Sequence, residues 1–324
     1  MQKQKVVVFS QIDFTIQQRL HQDYEVVVLD PKVGDINTQI RDQVRDADAM
    51  IGAGRLLNAT NLETAERLKI ISSVSVGYDN YDVDYLNQKK IWLAHTPHVL
   101  TETTADLAFT LLMSAARKVP SLDQWTKQGE WKRTVGAAQF GQEIFGKTLG
   151  IVGLGHIGAA IARRAFHGFN MRIVYHNRRE KLALAQPLNA QYLSLENLLQ
   201  QSDFVVIAVD LNQASKALIG AEQLALMQKH AVLVNISRGS VLDEQALIEV
   251  LQARKIFAAG LDVYQQEPLQ SSPLFQLDNV VTLPHIGSAT AETRYKMAEL
   301  AYHNLHAALQ GRIPAALVNP QWST

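Results

Sequence analysis

The stretch Gly153-Leu154-Gly155-His156-Ile157-Gly158 constrains this chain more than any other. The pattern G-x-G-x-x-G is weak alone, because glycine is common and the pattern is short. Here it follows an apolar run, Leu149-Gly150-Ile151-Val152, and opens a helical pattern in which Ile157, Ile161 and Ala165 share a face. In a strand–turn–helix setting the three glycines have separate tasks. Gly153 permits the tight turn, Gly155 lets backbone approach a pyrophosphate, and Gly158 allows close helix–strand packing. The helix N-terminus that follows then presents unpaired N–H groups and the positive end of its dipole to phosphates, with His156 and Ile157 among the expected coenzyme contacts. The expectation is a dinucleotide site.

Which dinucleotide depends on the end of the following strand, roughly 20 residues on. An NAD-preferring site has Asp or Glu there to accept hydrogen bonds from the ribose 2′-OH. This chain reads Tyr175-His176-Asn177-Arg178-Arg179, with no carboxylate until Glu180. A guanidinium binds a 2′-phosphate through paired charge-assisted hydrogen bonds, whereas a carboxylate repels it. Asn177 is expected to reach the ribose oxygen region. The reading favours NADPH, with NADH as a weaker coenzyme.

Short β-branched runs alternate with helical patterns throughout. Expected strands are Val6–Phe9, Glu25–Leu29, Ala49–Ile51, Ile70–Val74, Ile91–Ala94, Leu149–Val152, Arg172–Tyr175, Phe204–Ala208, Ala231–Asn235, Phe257–Val263 and Val280–Leu283. Helical patterns include Asp13–His21, Leu62–Leu68, Ile157–His167, Glu222–Gln228 and Glu244–Ala253. Such alternation reads as βαβ units with parallel sheets. Two longer segments break the rhythm. Thr101–Lys118 puts Leu107, Leu111, Leu112 and Ala115 on one face, and Thr290–Leu309 does so with Met297, Leu300, Ala301 and Leu305. Both are expected to be straps connecting two lobes, and 324 residues is long enough for two domains.

Composition removes several classes of function. Lys+Arg and Asp+Glu number 31 each, which gives no electrostatic reason to expect nucleic acid or an anionic membrane as partner. Cysteine is absent, excluding disulfides, zinc–thiolate centres, cysteine-ligated clusters and a cysteine nucleophile. No metal-ligand spacing is evident. Val6–Phe9 is too short for a signal peptide core, and no uncharged apolar stretch approaches about 18 residues. The expectation is a cytoplasmic protein.

Most of the 10 histidines have ordinary settings: His21, His230, His303 and His306 sit in or beside polar helical stretches. His285 differs. It follows Leu283-Pro284 at a strand's carboxyl end, where open α/β sheets place ligands. Arg238 follows the strand Val232–Asn235, and Glu267 lies just after Gly260-Leu261-Asp262-Val263. Taken singly, Arg238 could pair with Asp243 and Glu267 could be a solvated turn residue. Together they suit one task. Arginine binds and polarises an α-keto acid, histidine gives a proton to the keto oxygen, and glutamate orients the histidine and stabilises its charged form.

Several ordered motifs carry a resemblance to a known family. They are Gly153-Leu154-Gly155-His156-Ile157-Gly158, Asn235-Ile236-Ser237-Arg238-Gly239, Ala259-Gly260-Leu261-Asp262-Val263, Glu267-Pro268-Leu269 and Pro284-His285-Ile286-Gly287-Ser288-Ala289-Thr290. Over essentially its whole length the chain resembles the D-isomer-specific 2-hydroxyacid dehydrogenases. Ser75-Val76-Gly77-Tyr78-Asp79-Asn80, Thr96-Pro97 with Leu100-Thr101-Glu102-Thr103, and Glu292-Thr293-Arg294-Tyr295 narrow it. These are similar to the glyoxylate/hydroxypyruvate reductase B branch, also called 2-ketogluconate reductases.

The resemblance implies an α/β fold of two Rossmann-like domains with doubly wound parallel sheets. Residues 1–100 and 290–324 would form a discontinuous, flavodoxin-like substrate domain, and 101–289 the NAD(P)-binding Rossmann domain. It implies a catalytic trio of Arg238, Glu267 and His285, with His285 the proton donor. Backbone N–H groups of Val76-Gly77 would hold the substrate carboxylate, and Asp262 would face the nicotinamide amide. The substrate would be a small 2-keto acid such as glyoxylate, hydroxypyruvate or 2-ketogluconate, and members are usually homodimers. Trp125 and Trp131 fall in a segment that often reaches the neighbouring subunit. Asp210 departs from the family pattern, where many relatives have proline.

Other classes on this scaffold predict different sequences. A nucleotide-sensing protein of the corepressor kind needs no reactive trio, and this chain keeps all three residues. Formate and phosphite dehydrogenases share the scaffold, but the substrate-loop and carboxyl-terminal motifs favour the keto-acid branch.

Overall fold

A computed structural model describes residues 3–320. The chain divides into two compact units, one made of residues up to Leu100 and from Ser288 onward, the other of Thr101–Gly287. The ends of the expected outer domain, residues 1–2 and 321–324, lie outside the described residues.

The first unit is built on five parallel strands: β1 (Lys5–Val8), β2 (Glu25–Val28), β3 (Ala49–Gly52), β4 (Ile70–Ser73) and β5 (Trp92–Ala94). Their order, β2-β1-β3-β4-β5, is the flavodoxin-like doubly wound arrangement. Val6, Val7 and Val8 are fully buried, as are Ile70 and Ile71. Helices cover both faces of such a sheet, so its inner strands read as continuous apolar runs rather than alternating ones.

The second unit holds seven parallel strands: β6 (Thr148–Val152), β7 (Arg172–His176), β8 (Gln191–Tyr192), β9 (Phe204–Ile207), β10 (Val232–Asn235), β11 (Ala258–Leu261) and β12 (Val280–Thr282). The order β12-β11-β10-β9-β6-β7-β8 is that of a Rossmann sheet with one extra strand beyond β11. Connectivity reverses between β6 and β9. Ligands of open α/β sheets bind beyond the strand ends at such a point.

The long helix Thr101–Ala116 buries Ala105, Ala108, Leu111, Leu112 and Ala115, and packs on β10, β11 and helix His156–Phe169. Leu111 and Leu112 each contribute about 1.5–3 kcal/mol by leaving water. Leu107 is only half-buried, at the margin of that face. Helix Ala291–Leu309 buries Met297, Ala301 and Leu305 against β3, β4 and β5, with Leu300 likewise half-buried. Neither helix is a shared strap. Each belongs wholly to one unit, and the chain changes unit immediately before it.

Two local expectations need correction. The pattern at Leu62–Leu68 is not a helix, since the helical turn is Ala59–Leu62. Asn58 starts it early by accepting from Thr60 N–H, and Asn61 Oδ1 returns a bond to Asn58 N–H. Leu62 and Leu68 are both buried, but Leu68 leads into β4. Strand β8 is unanticipated: it is two residues long, and both are exposed.

Candidate active site

At the end of β6 the chain turns at Gly153, whose φ of +105° is a conformation that residues with a side chain rarely adopt. A Cβ there would also lie 2.5 Å from the Ala208 carbonyl oxygen at the end of β9. Gly155 caps helix His156–Phe169, and the space where its Cβ would stand is open. A Cβ on Gly158 would lie 2.2 Å from the Gly153 carbonyl oxygen. A close turn, an open approach and a tight helix–strand contact therefore fall in sequence at the switch point. The first N–H groups of the helix, those of His156 and Ile157 among them, lie at its positive end. This cradle fits a dinucleotide pyrophosphate.

Asn177 leaves β7 beside this loop. Its Oδ1 accepts the Leu154 N–H at 2.6 Å and its Nδ2 donates to the Leu154 carbonyl at 3.3 Å. The side chain expected near the ribose is thus bonded to the glycine loop. Arg178 and Arg179 follow it, both exposed, and among the described residues neither has a hydrogen-bond or ion-pair partner.

The ends of β10, β11 and β12 carry the reactive groups. Beyond β10, Asn235 Oδ1 accepts from both N–H and Oγ of Ser237, and Asn235 Nδ2 donates to the Arg238 carbonyl. That knot sets the half-buried Arg238, whose Nη1 donates to the Ser237 carbonyl. Asp243, the alternative partner for Arg238, caps helix Glu244–Gln252 by accepting from Ala246 N–H.

Glu267 is held from two sides. Its Oε1 accepts the Tyr264 N–H at 3.0 Å, and its Oε2 lies 2.7 Å from His285 Nδ1. Burial disfavours the charged carboxylate. The hydrogen bonds from His285 and Tyr264, with the positive charge of His285 and Arg238, outweigh that penalty and hold the carboxyl below its usual range. An ionised carboxylate only accepts, so the proton between the two residues sits on His285 Nδ1. Nε2 is not used by that bond. His285 has a positive φ of 54° and a side chain 46% exposed, so it is accessible to a small molecule. The pair borders a cavity of about 380 Å³, walled further by Tyr264, Pro268, Leu283 and Pro284.

Three residues build this arrangement through contacts that the motifs do not disclose. Gly239 lies so close to the next loop that a Cβ would stand 1.8 Å from the Tyr264 carbonyl carbon. Tyr264 donates its hydroxyl to the Leu283 carbonyl at 3.0 Å, tying the loop of Glu267 to the strand that leads to His285. Asp262 is 1% exposed, and its two oxygens accept the N–H groups of Ile286 and Gly287 at 2.7 and 2.8 Å. The resemblance assigns Asp262 to the nicotinamide amide, whereas these bonds hold the loop after His285. Only long-range spacing links these partners, and spacing carries no such signal.

In the first unit, Val76 and Gly77 lie beyond the carboxyl end of β4. The Val76 carbonyl meets His95 Nδ1 at 3.0 Å, and among the described residues neither N–H of the pair is donated. In the second unit, Asp210 is exposed and its carbonyl accepts from Ser215 Oγ. Trp125 is half-buried and Trp131 is 62% exposed. Among the described residues no helix is long and apolar enough to cross a membrane, and no group of three or more His, Asp or Glu could hold a metal.

Comparison with known proteins agrees with this geometry. The profile of the D-isomer specific 2-hydroxyacid dehydrogenase NAD binding domain matches residues 109–287. Glyoxylate/hydroxypyruvate reductase B of Serratia proteamaculans is 45% identical over 320 residues, covering 98% of each chain. The protein of the same name from Escherichia coli K12 is 45% identical over 322 residues, again covering 98% of each. Among solved structures, the NADPH-dependent glyoxylate/hydroxypyruvate reductase of Sinorhizobium meliloti, in complex with NADP and malonate, superposes with a TM-score of 0.86. It is 31% identical, covering 98% of this chain and 97% of that one.

Proposed function

The chain belongs to the D-isomer specific 2-hydroxyacid dehydrogenases, and we propose that it reduces glyoxylate and hydroxypyruvate to D-2-hydroxy acids with NADPH. It is similar throughout to the glyoxylate/hydroxypyruvate reductase B branch and is an NAD(P)-dependent oxidoreductase. 2-Ketogluconate is a further substrate in this reading, and NADH a weaker coenzyme.

The observation that carries the proposal is the 2.7 Å bond from His285 Nδ1 to Glu267, at a sheet edge shared with Arg238. The coenzyme, when bound in the cradle of Gly153, Gly155 and Gly158, supplies the hydride. Everything else falls to side chains and backbone. Arg238 binds the keto acid and polarises its carbonyl. His285 gives its Nε2 proton to the keto oxygen, while Glu267 keeps the ring oriented and stabilises the imidazolium before transfer. The undonated N–H groups of Val76 and Gly77 are assigned to the substrate carboxylate. Arg178 and Arg179 are assigned to the 2′-phosphate, which a carboxylate at their position would repel.

A second copy of the chain is the proposed partner. Helix Val119–Lys127 has no buried residue, and Val119, Trp131, Val135 and Phe140 are 47–62% exposed. Apolar side chains so concentrated favour an association surface. Nucleic acid and membrane are not partners in this reading, and the cytoplasm is its proposed location.

The test is loss of absorbance at 340 nm with hydroxypyruvate, comparing NADPH with NADH, then with glyoxylate and 2-ketogluconate. Turnover preferring NADPH is expected. A preference for NADH would overturn the coenzyme assignment alone. Absence of turnover with all three keto acids would overturn the substrate assignment.

A further inference from the structure

Arg178 and Arg179 are long, exposed side chains without partners among the described residues, so their value for a phosphate depends on how firmly the backbone beneath them is fixed. That backbone is pinned at three points. Tyr192 donates its hydroxyl to the Asn177 carbonyl at 2.8 Å. The Asn177 side chain holds Leu154 in the glycine loop. Tyr175, fully buried, accepts the Lys181 N–H on its hydroxyl at 3.1 Å.

Tyr192 is itself held between neighbours. It pairs in register with Tyr175 across β7 and β8, with ring centroids 5.4 Å apart. The His176 ring lies nearly parallel to it, 11° off, with centroids at 6.2 Å, and His176 Nδ1 meets the Leu193 carbonyl at 2.9 Å. A two-residue edge strand with both residues exposed adds little to the core. What it does add is a hydroxyl at the start of the arginine-bearing span.

We propose that Tyr192 is a positioning residue for coenzyme selectivity, fixing the Asn177 carbonyl and thereby aiming Arg178 and Arg179 at a phosphate monoester on the adenine ribose. The inference rests on the NADPH reading above and adds the group that turns two unpartnered cations into a defined site.

Tyr192→Phe keeps the ring and removes one hydrogen bond. KM for NADPH should rise about three- to tenfold while kcat at saturating NADPH holds, because the bond acts on binding rather than on proton transfer. KM for NADH should stay within about twofold, less than one hydrogen bond is worth. A readout without turnover is calorimetric binding of 2′,5′-ADP and of 5′-AMP, of which only the first should weaken. Arg178→Ala/Arg179→Ala serves as the reference. If this double variant keeps full affinity for 2′,5′-ADP, the coenzyme reading fails and takes the inference with it. If the double variant loses affinity but Tyr192→Phe does not, or weakens both nucleotides equally, the positioning role is overturned and the coenzyme reading stands.

Discussion

The buried carboxylate of Asp262 grips the N–H of Gly287 at 2.8 Å, and its other oxygen grips the preceding N–H, that of Ile286. Two charge-assisted bonds thus fix the peptide units that follow His285, a residue in a left-handed backbone conformation. Burial raises the pKa of Asp262, and these bonds offset only part of that penalty.

Asp262→Asn should cost about 1–3 kcal/mol, because the amide nitrogen can only donate and would face a backbone N–H. Thermal denaturation measures the loss. Because its folded pKa lies above the unfolded one, Asp262 binds its proton more tightly when folded. The wild type therefore gains stability from this group as pH falls through the raised value, and the asparagine variant lacks that gain. Turnover should fall more than NADPH affinity, since the loop places His285. Equal loss of both would assign Asp262 to the coenzyme instead.

Reduction consumes a proton, which His285 delivers, and oxidation of the hydroxy acid releases one, so rising pH should disfavour the first and favour the second. His285→Ala should lower kcat about 10²- to 10⁴-fold with little change in NADPH binding by fluorescence titration. Glu267 sets the opposite limb. Its folded pKa is depressed below the usual 4.5, so its pairing is fully present above that value and is lost as pH falls through the depressed one. Glu267→Gln should remove this acid limb from the pH–rate profile and lower kcat. A profile that climbs steadily into alkali for reduction would overturn the assignment of His285 as donor.

How far the sequence discloses this site follows from the range of each interaction. The glycine turn is local, so residues 153–158 announce both their structure and their task. Arg238, Glu267 and His285 are visible because each lies within six residues of the end of an apolar strand, and parallel strands bring their carboxyl ends to one edge. The grip of Asp262 on residues 286–287, the clasp of Asn177 on Leu154, and the contact of Gly239 with Tyr264 each join segments more than 20 residues apart. Periodicity and composition are blind at that range. The helix misplaced at Leu62–Leu68 failed for the opposite reason, because a local cap at Asn58 decides its start more strongly than the spacing of leucines.

Gly239→Ala tests whether the loops of Arg238 and Glu267 must touch. The added methyl would stand 1.8 Å from the Tyr264 carbonyl carbon and 2.3 Å from Gln265 N, all backbone, so no side chain can swing aside. One loop has to move. Overpacking of this kind costs about 1–3 kcal/mol, and here it also pulls the Tyr264 N–H away from Glu267. A lowered Tm with kcat reduced more than NADPH affinity is expected. A variant with wild-type Tm and kcat would show that the contact is dispensable.

Asn177→Asp separates the two tasks of that side chain. A carboxylate could still accept the Leu154 N–H, but it could not donate to the Leu154 carbonyl, and one hydrogen bond of about 1 kcal/mol would be lost. The larger effect is on charge. A negative group next to Arg178 and Arg179 competes for the guanidiniums and repels a 2′-phosphate, while offering acceptors to a ribose 2′-OH. The ratio of kcat/KM for NADPH to that for NADH should therefore fall by about 10- to 100-fold, equivalent to about 1.4–2.7 kcal/mol of discrimination. The change should come from a rise in KM for NADPH and a fall in KM for NADH, with kcat at saturation nearly constant. Steady-state kinetics with both coenzymes decides it: an unchanged ratio would mean that the loop after β7 does not read the 2′-position.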